Sequence, residues 1–188
     1  DHSGAMPALA KACPNAKFII SMAGKNEAIQ HYGDIFSFEV VKDGATLNIG
    51  KRNLVFAMMT MLHWPDSMAT YSVEDKILFS NDAFGQHYAT SKRYDDQVDE
   101  ADLFYEARKY FANILWPYAK LIGKAIAKVG GLDIQMIAPS HGVVWRKNIA
   151  KIVECYSKWG QGVCDGSIVV AYDSMWGGSE KLARAIAR

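Results

Sequence analysis

The sequence predicts an α/β protein in which helices cover a largely antiparallel sheet system. Three observations carry that reading. Half of the 188 residues are apolar and 12% are aromatic, which suits one substantial core, or one domain with a piece of another. Through the first half, short β-rich segments follow one another across turn-like tripeptides. In the second half the apolar period changes to that of a helix.

Phe18–Ser21 is a short apolar run that reads as a buried strand, and residues Lys25–Tyr32 read as a helix closed by Gly33. Phe36–Val41, Thr46–Ile49 and Leu54–Thr60 are β-rich and separated by Lys42-Asp43-Gly44 and Gly50-Lys51-Arg52, so two hairpins are expected. Thr70–Val73 and Lys76–Ser80 flank Glu74-Asp75 as a third. From Ala101 to Val129, apolar residues such as Leu103, Ala107, Tyr110, Ile114 and Tyr118 recur at i, i+3, i+4 and i+7, the mark of a long amphipathic helix. Pro117 should kink or split it, and Gly130-Gly131 should stop it. The aromatics at this spacing, Tyr105, Tyr110, Trp116 and Tyr118, are expected in the core. Ile134–Ala138 reads as another buried strand and Trp145–Trp159 as a second helix. Ser167–Tyr172 reads as a strand, 173–178 as a glycine-containing loop, and Ser179–Ala187 as a helix.

Charge and composition exclude several classes of function. Lysine and arginine (21) nearly balance aspartate and glutamate (20), leaving no basic surplus for a nucleic acid. No apolar run approaches the roughly 18 residues that span a bilayer. Cys13, Cys155 and Cys164 are odd in number and form no CxxC pair, which points away from a disulfide framework or thiolate zinc site and towards a reducing, cytoplasmic setting.

The chemistry-bearing residues sit at strand ends. His63 lies in Leu62-His63-Trp64-Pro65-Asp66-Ser67, Asp82 in Ser80-Asn81-Asp82-Ala83-Phe84-Gly85, and His141 in Pro139-Ser140-His141-Gly142, each just after an expected strand. Asp1-His2 adds two further groups. Imidazoles and carboxylates without thiolates suit zinc, iron or manganese, and a carboxylate can bridge two metals. Spacing alone does not separate such a histidine from a hydrogen-bonded structural one.

The local sequences go further. Asp1-His2-Ser3-Gly4, His63-Trp64-Pro65-Asp66-Ser67-Met68, Ser80-Asn81-Asp82-Ala83-Phe84-Gly85-Gln86-His87 and Pro139-Ser140-His141-Gly142 together resemble the flavodiiron proteins, the A-type flavoproteins that reduce oxygen or nitric oxide. Sixty residues separate His2 from His63, 18 separate His63 from Asp82, and 58 separate Asp82 from His141, in the order and proportion of that family's motifs. Tyr172-Asp173-Ser174-Met175-Trp176-Gly177-Gly178-Ser179-Glu180 looks like the start of its flavodoxin-like domain.

The resemblance implies a metallo-β-lactamase-like αβ/βα sandwich over residues 1–164, incomplete at its N-terminus, followed by the beginning of a flavodoxin-like domain over 165–188. It implies a non-haem diiron centre in which Asp82 bridges the two irons, His63 binds one, and Asp1 and His141 bind the other. His2 is placed with these ligands, although some family members hold this histidine off the metal. Asp66 and His87 lie beside ligands but match no ligand position. Ser174, Met175, Trp176, Gly177, Gly178 and Ser179 correspond to the loop that binds the FMN phosphate, whose backbone N–H groups and helix N-terminus suit an anion. Gly178 stands where a hydroxyl residue is common. Trp64 directly follows His63 and Trp145 comes four residues after His141, and both are candidates for shaping the substrate pocket or the electron path.

The family's first motif reads His-x-Glu-x-Asp-His, and this chain begins at its Asp, so residues 1–188 are expected to be the middle of a longer polypeptide. The implied activity is reduction of O2 to water, of NO to N2O, or both, with electrons delivered through FMN from rubredoxin or a reduced deazaflavin. A head-to-tail homodimer, or a dimer of dimers, is the implied assembly, with no membrane or nucleic-acid partner. The alternative on the same fold is a zinc-dependent hydrolase, in which a metal-bound hydroxide attacks a thioester or lactam.

Overall fold

A computed structural model describes residues 2–163 and 166–187. Asp1, Cys164 and the expected domain boundary at 164/165 lie outside the described residues. The elements run in the order α1 (Met6–Ala12), β1 (Phe18–Ile20), α2 (Met22–Tyr32), β2 (Phe38–Val40), β3 (Thr46–Asn48), β4 (Asn53–Met58), β5 (Met68–Ser72), β6 (Ile77–Asn81), α3 (Glu100–Tyr110), α4 (Ala119–Val129), β7 (Met136–Pro139), α5 (Ile149–Gly160) and α6 (Gly178–Ile186). None of these helices is long and apolar enough to cross a membrane.

The strands form a parallel β1–β2 pair and a five-stranded sheet in the order β3-β4-β5-β6-β7. In the larger sheet the first four strands are antiparallel neighbours, and β6 and β7 are parallel. One consequence positions the whole site. β4 and β6 both run opposite to β5, and β7 runs with β6, so β4, β6 and β7 share one direction. The loops that follow these three strands therefore emerge at the same edge of the sheet. They carry His63, Asp82 and His141.

The parallel β6–β7 pair requires a crossover, and α3 and α4 supply it. Pro117 breaks the long apolar stripe as expected: α3 gives way to a wide π turn at Phe111–Leu115 and a 3-10 turn at Trp116–Tyr118 before α4 resumes. Leu103, Ala107, Phe111, Leu115 and Ile122 pack with Tyr71, Leu78 and Ile137 of the sheet and with Ile152 and Tyr156 of α5, all buried. Fully burying one such side chain is worth about 1.5–3 kcal/mol.

Several expectations are corrected. Lys42-Asp43-Gly44 does turn, with Gly44 at φ +73°, but β2 pairs in parallel with β1 and not with β3, so it links two sheets rather than closing a hairpin. The Asp43 carboxylate instead accepts from the Met58 N–H (2.8 Å) and the Lys128 ammonium (2.9 Å). The hairpins at 50–52 and 74–75 are present. Helix α5 starts at Ile149, not Trp145, because Trp145 bridges Ile137 in a ladder contact. The buried Asp95 carboxylate then collects the N–H groups of Arg146, Lys147 and Asn148 at 2.7–3.2 Å, fixing the entry to α5.

Tyr110 is core, as expected, and Tyr118 is half-buried against it. Tyr105 and Trp116 are exposed instead. Tyr105 faces solvent beneath Arg108 and Lys109, and Trp116 is turned outward in the 3-10 segment around Pro117. Residues 167–172 form no strand: Ile168 and Val169 are almost wholly exposed, and no described strand pairs with them. An apolar run becomes a strand only where a neighbour completes its ladder. Helix α1 was not expected; Pro7 in its first turn fits its start.

Candidate metal centre

Asp82 is the hub. Its carboxylate is almost fully buried, and three imidazoles close on it. His2 Nε2 lies 3.1 Å and His141 Nε2 3.4 Å from Oδ1, and His63 Nε2 lies 3.2 Å from Oδ2. Donor atoms of His2, Asp82 and His141 lie within 4.8 Å of one another. Despite these ion-pair distances, Oδ1 makes no hydrogen bond and is buried from water. Proximity and hydrogen bonding disagree here because the ring N–H directions do not align with the oxygen, and the hydrogen-bond geometry is the sterner criterion. A buried anionic oxygen without a donor is costly, and a cation held between it and the imidazole nitrogens removes that cost. The donor set therefore fits a metal of the N/O-loving first-row class.

The loops that present these groups are over-determined. After β6, Gly85 N–H donates to Asp82 O (3.0 Å) and Ser80 Oγ donates to Ala83 O (2.6 Å). The Phe84 N–H donates to the buried Tyr156 hydroxyl at 2.7 Å, and Trp145 Nε1 donates to Phe84 O at 2.8 Å. Phe84 itself has φ +66°, a conformation that such ties must hold in place. Gln86, fully buried, clamps this loop to the His141 loop. Its Nε2 donates to Phe84 O and Val143 O, and its Oε1 accepts from the Val143 N–H at 2.7 Å. Its backbone N–H donates to His141 O. The His63 loop is closed by Ser67, whose Oγ accepts from the Trp64 N–H while its carbonyl accepts from the Met59 N–H.

Burial and charge tune the surrounding groups. Desolvation lowers the His141 pKa below the ordinary imidazole value, which favours the neutral, metal-binding form, while the Asp82 charge opposes that shift. Burial, then the same charge, pushes the Tyr110 phenol well above its ordinary range. Tyr110 sits beside His87 and His141, with ring centroids 4.8 and 6.0 Å away. A cleft of about 230 Å³ opens onto Asp82 and is lined by His2, Glu27, His31, Trp64 and Asp66 among others.

Of the residues expected at the site, His2, His63, Asp82 and His141 are thus brought together, and Asp66 and Trp64 line the adjoining cleft. His87 is exposed and joins the cluster only through its ring contacts with Tyr110 and His141. Trp145 is core: it is fully buried, its indole N–H is spent on Phe84 O, and it does not line the cleft at Asp82. In the loop at Ser174–Ser179, Met175 and Trp176 are almost fully exposed, Gly177 has φ +75°, and Gly178 opens α6. None of these residues lines the cleft at Asp82. Gln86, Tyr156 and Asp95 were not anticipated.

Residues 1–142 match the family described as ODP family beta lactamase. The chain is 46% identical to a nitric oxide reductase of Moorella thermoacetica, over 99% of this chain and 47% of that protein. It is 44% identical to an anaerobic nitric oxide reductase flavorubredoxin of Salmonella arizonae, over all of this chain and 40% of that protein. Among solved structures, rubredoxin oxygen:oxidoreductase from Desulfovibrio gigas superposes with a TM-score of 0.93 at 41% identity, over 100% of this chain and 48% of that one. A protein from Giardia intestinalis, described as a flavodiiron protein, superposes with a TM-score of 0.88 at 39% identity, over 92% and 43% of the two chains. The chain thus spans about half the length of the relatives it matches.

Proposed function

The chain belongs to the flavodiiron proteins, and from that premise we propose that the protein reduces O2 to water, NO to N2O, or both, at a non-haem diiron centre supplied with electrons through FMN. The observation that carries the reading is the buried Asp82 carboxylate, with an oxygen lacking any hydrogen bond and three imidazoles facing it from separate parts of the chain.

In this reading Asp82 would hold both irons, His63 would serve one, and His141, with Asp1, would serve the other. His2 stands within reach of the same centre. Two ferrous ions and a reduced FMN together supply the four electrons that take O2 to two waters, or the two that join a pair of NO molecules as N2O. The protein's share is orientation and charge. The Asp82 carboxylate would offset part of the dication charge and hold the two metals together. Gln86 and Tyr156 hold the bridging loop, and the polar cleft lined by Glu27, His31 and Asp66 gives water and protons access to the centre.

Residues 1–164 are assigned to the diiron domain and 165–188 to the start of a flavodoxin-like domain, with Ser174–Ser179 receiving the FMN phosphate at the N-terminus of α6. A head-to-tail dimer would bring one subunit's FMN to its partner's irons. Rubredoxin is the electron donor that the relatives' names favour, and the cytoplasm is the setting. The reductase names of the relatives compared above favour this reading over the hydrolase alternative. Metal and flavin analysis of the purified full-length protein tests the proposal. Two irons and one FMN per chain, with rubredoxin-dependent consumption of O2 or NO, are expected; zinc without flavin would overturn it.

A further inference from the structure

Two cavities lined by residues of α4 and of the sheet share Val129 as a wall residue, and neither shares a lining residue with the polar cleft. The outer one, about 200 Å³, is walled by Val55, Ala57, Tyr71, Leu78 and Leu132, with the exposed Lys128–Asp43 ion pair beside it. The inner one is small, about 20 Å³, and is walled by Met59, Leu62, Ala83, Phe84, Ala125 and Ile126 among others. Val129 lines both. The sheet connects them too: Ala57 and Leu78 face the outer cavity, and Met59 and Ser80, two residues further along the same face, reach the inner one. The inner cavity ends against Leu62, Ala83 and Phe84, the chain neighbours of His63 and Asp82.

The polar cleft and the inner cavity differ in chemistry. The cleft carries Glu27, His31, Asp66 and Asp82 and suits water and ions. The inner cavity is apolar, and the two polar side-chain oxygens in its wall are already engaged, Ser80 Oγ with Ala83 O and Tyr156 OH with the Phe84 N–H. A water there would lack most of the roughly two to four partners that a buried water needs, whereas an apolar cavity stays dry and accepts an apolar gas. Its volume exceeds the about 10–15 Å³ that admits one water-sized molecule, so there is room for one diatomic.

We infer that the inner cavity is a docking site for an apolar diatomic molecule, reached along the seam between α4 and the sheet and walled by chain neighbours of His63 and Asp82. This rests on the proposed function for its purpose but not for its existence. The site has one occupant at a time and delivers it past Leu62 as that side chain moves. Ala125 keeps it open, since a longer side chain there would fill the space facing Met59 and Leu62.

The probe is krypton, applied under pressure to crystals of the whole iron-loaded protein, with occupancy read from anomalous density. A peak between Ala125 and Phe84 is expected, lost in Ala125→Leu and strengthened in Ile126→Ala. In solution, Ala125→Leu should raise KM for the gas several-fold with kcat and iron content unchanged, and Ile126→Ala should not raise it. Wild-type turnover with no krypton in the cavity would overturn the inference and leave the proposed function standing. A krypton peak in a protein that consumes neither O2 nor NO would sustain the cavity and overturn the function. Unchanged KM in an Ala125→Leu variant that has lost its krypton peak would show that the cavity is not on the path and refute delivery.

Discussion

Gly142 follows His141 directly and has φ +85°, a conformation that costs an L side chain about 1–2 kcal/mol. The space is closed as well: a Cβ there would lie 2.0 Å from Gln86 Oε1 and 2.7 Å from Gln86 O. In Gly142→Ala the Gln86 amide must leave its seat. Phe84 O would keep Trp145 Nε1 as a donor at 2.8 Å, and the bond to Val143 O is long at 3.2 Å, so neither loss is severe. The Val143 N–H, bonded to Gln86 Oε1 at 2.7 Å, is the group left bare, at about 1–3 kcal/mol. Together these give about 2–5 kcal/mol of destabilisation. The assay is guanidinium unfolding followed by tryptophan fluorescence, with iron per chain measured on the same samples. Gly123→Ala is the control: Gly123 lies in α4 with open space around it, and alanine there should stabilise by about 0.5–1 kcal/mol. If Gly142→Ala unfolds within about 0.5 kcal/mol of the wild type, the ordinary range for a surface change, the clamp between the Asp82 and His141 loops has been misjudged.

Three further outcomes are expected. Asp82→Asn keeps the shape of the residue but removes the carboxylate charge to which the proposed function gives the bridging role, so on that proposal the full-length protein should lose paired iron and gas reduction while keeping FMN; two irons with normal turnover would show that Asp82 is not the bridge. Tyr156→Phe strips the acceptor from the buried Phe84 N–H and should cost about 1–3 kcal/mol in thermal or denaturant unfolding, and a neutral result would place a water or another acceptor at that N–H. The side-chain hydrogen bond from Lys128 holds the Asp43 carboxyl below the ordinary aspartate value of about 3.9, so its folded form binds fewer protons than the unfolded chain in acid. The stabilisation from this pair is therefore fully present above about pH 4 and is lost as the pH falls through the folded pKa. Unfolding curves of Lys128→Met and wild type should converge on acidification, and a gap that widens in acid would reverse the assignment.

Much of the fold was legible because its strands are runs with the right punctuation, and the errors in strand pairing share one cause. Turn chemistry reports that the chain bends, not which sheet the next strand joins. Lys42-Asp43-Gly44 reads as a hairpin locally, yet the pairing partner of β2 is β1, reached across α2. On an ideal helix Tyr105 and Trp116 lie within about 20° of each other, while Tyr110 and Tyr118 lie on the opposite side. The helical period itself therefore separates the two exposed rings from the two on the core side, and reading all four as core merges two faces. The apolar run at 167–172 has strand composition but pairs with no strand among the described residues.

The residues that converge on Asp82 were legible for a different reason: His63, Asp82 and His141 each sit in a short local motif just after a strand, and it is the set of motifs in order, with Asp1-His2, that carries the resemblance. The residues that hold them there are the opposite case. Tyr156 is 72 positions from the Phe84 N–H it accepts, and Gln86 is 57 positions from Val143. Glutamine in a loop and tyrosine on an amphipathic helix are ordinary in sequence, and only burial makes them singular. Asp95, which organises the entry to α5 from 51–53 positions away, is of the same kind. The strand directions explain why both classes must coexist. Because β4, β6 and β7 point the same way, their following loops meet at one sheet edge, but each loop leaves its strand independently. Without Gln86 tying the second loop to the third, and Tyr156 tying the second to α5, the carboxylate of Asp82 would have no fixed distance to the imidazoles it serves. The converging imidazoles and carboxylate are visible in their motifs, while their geometry depends on polar groups with no partner to be seen in the sequence around them.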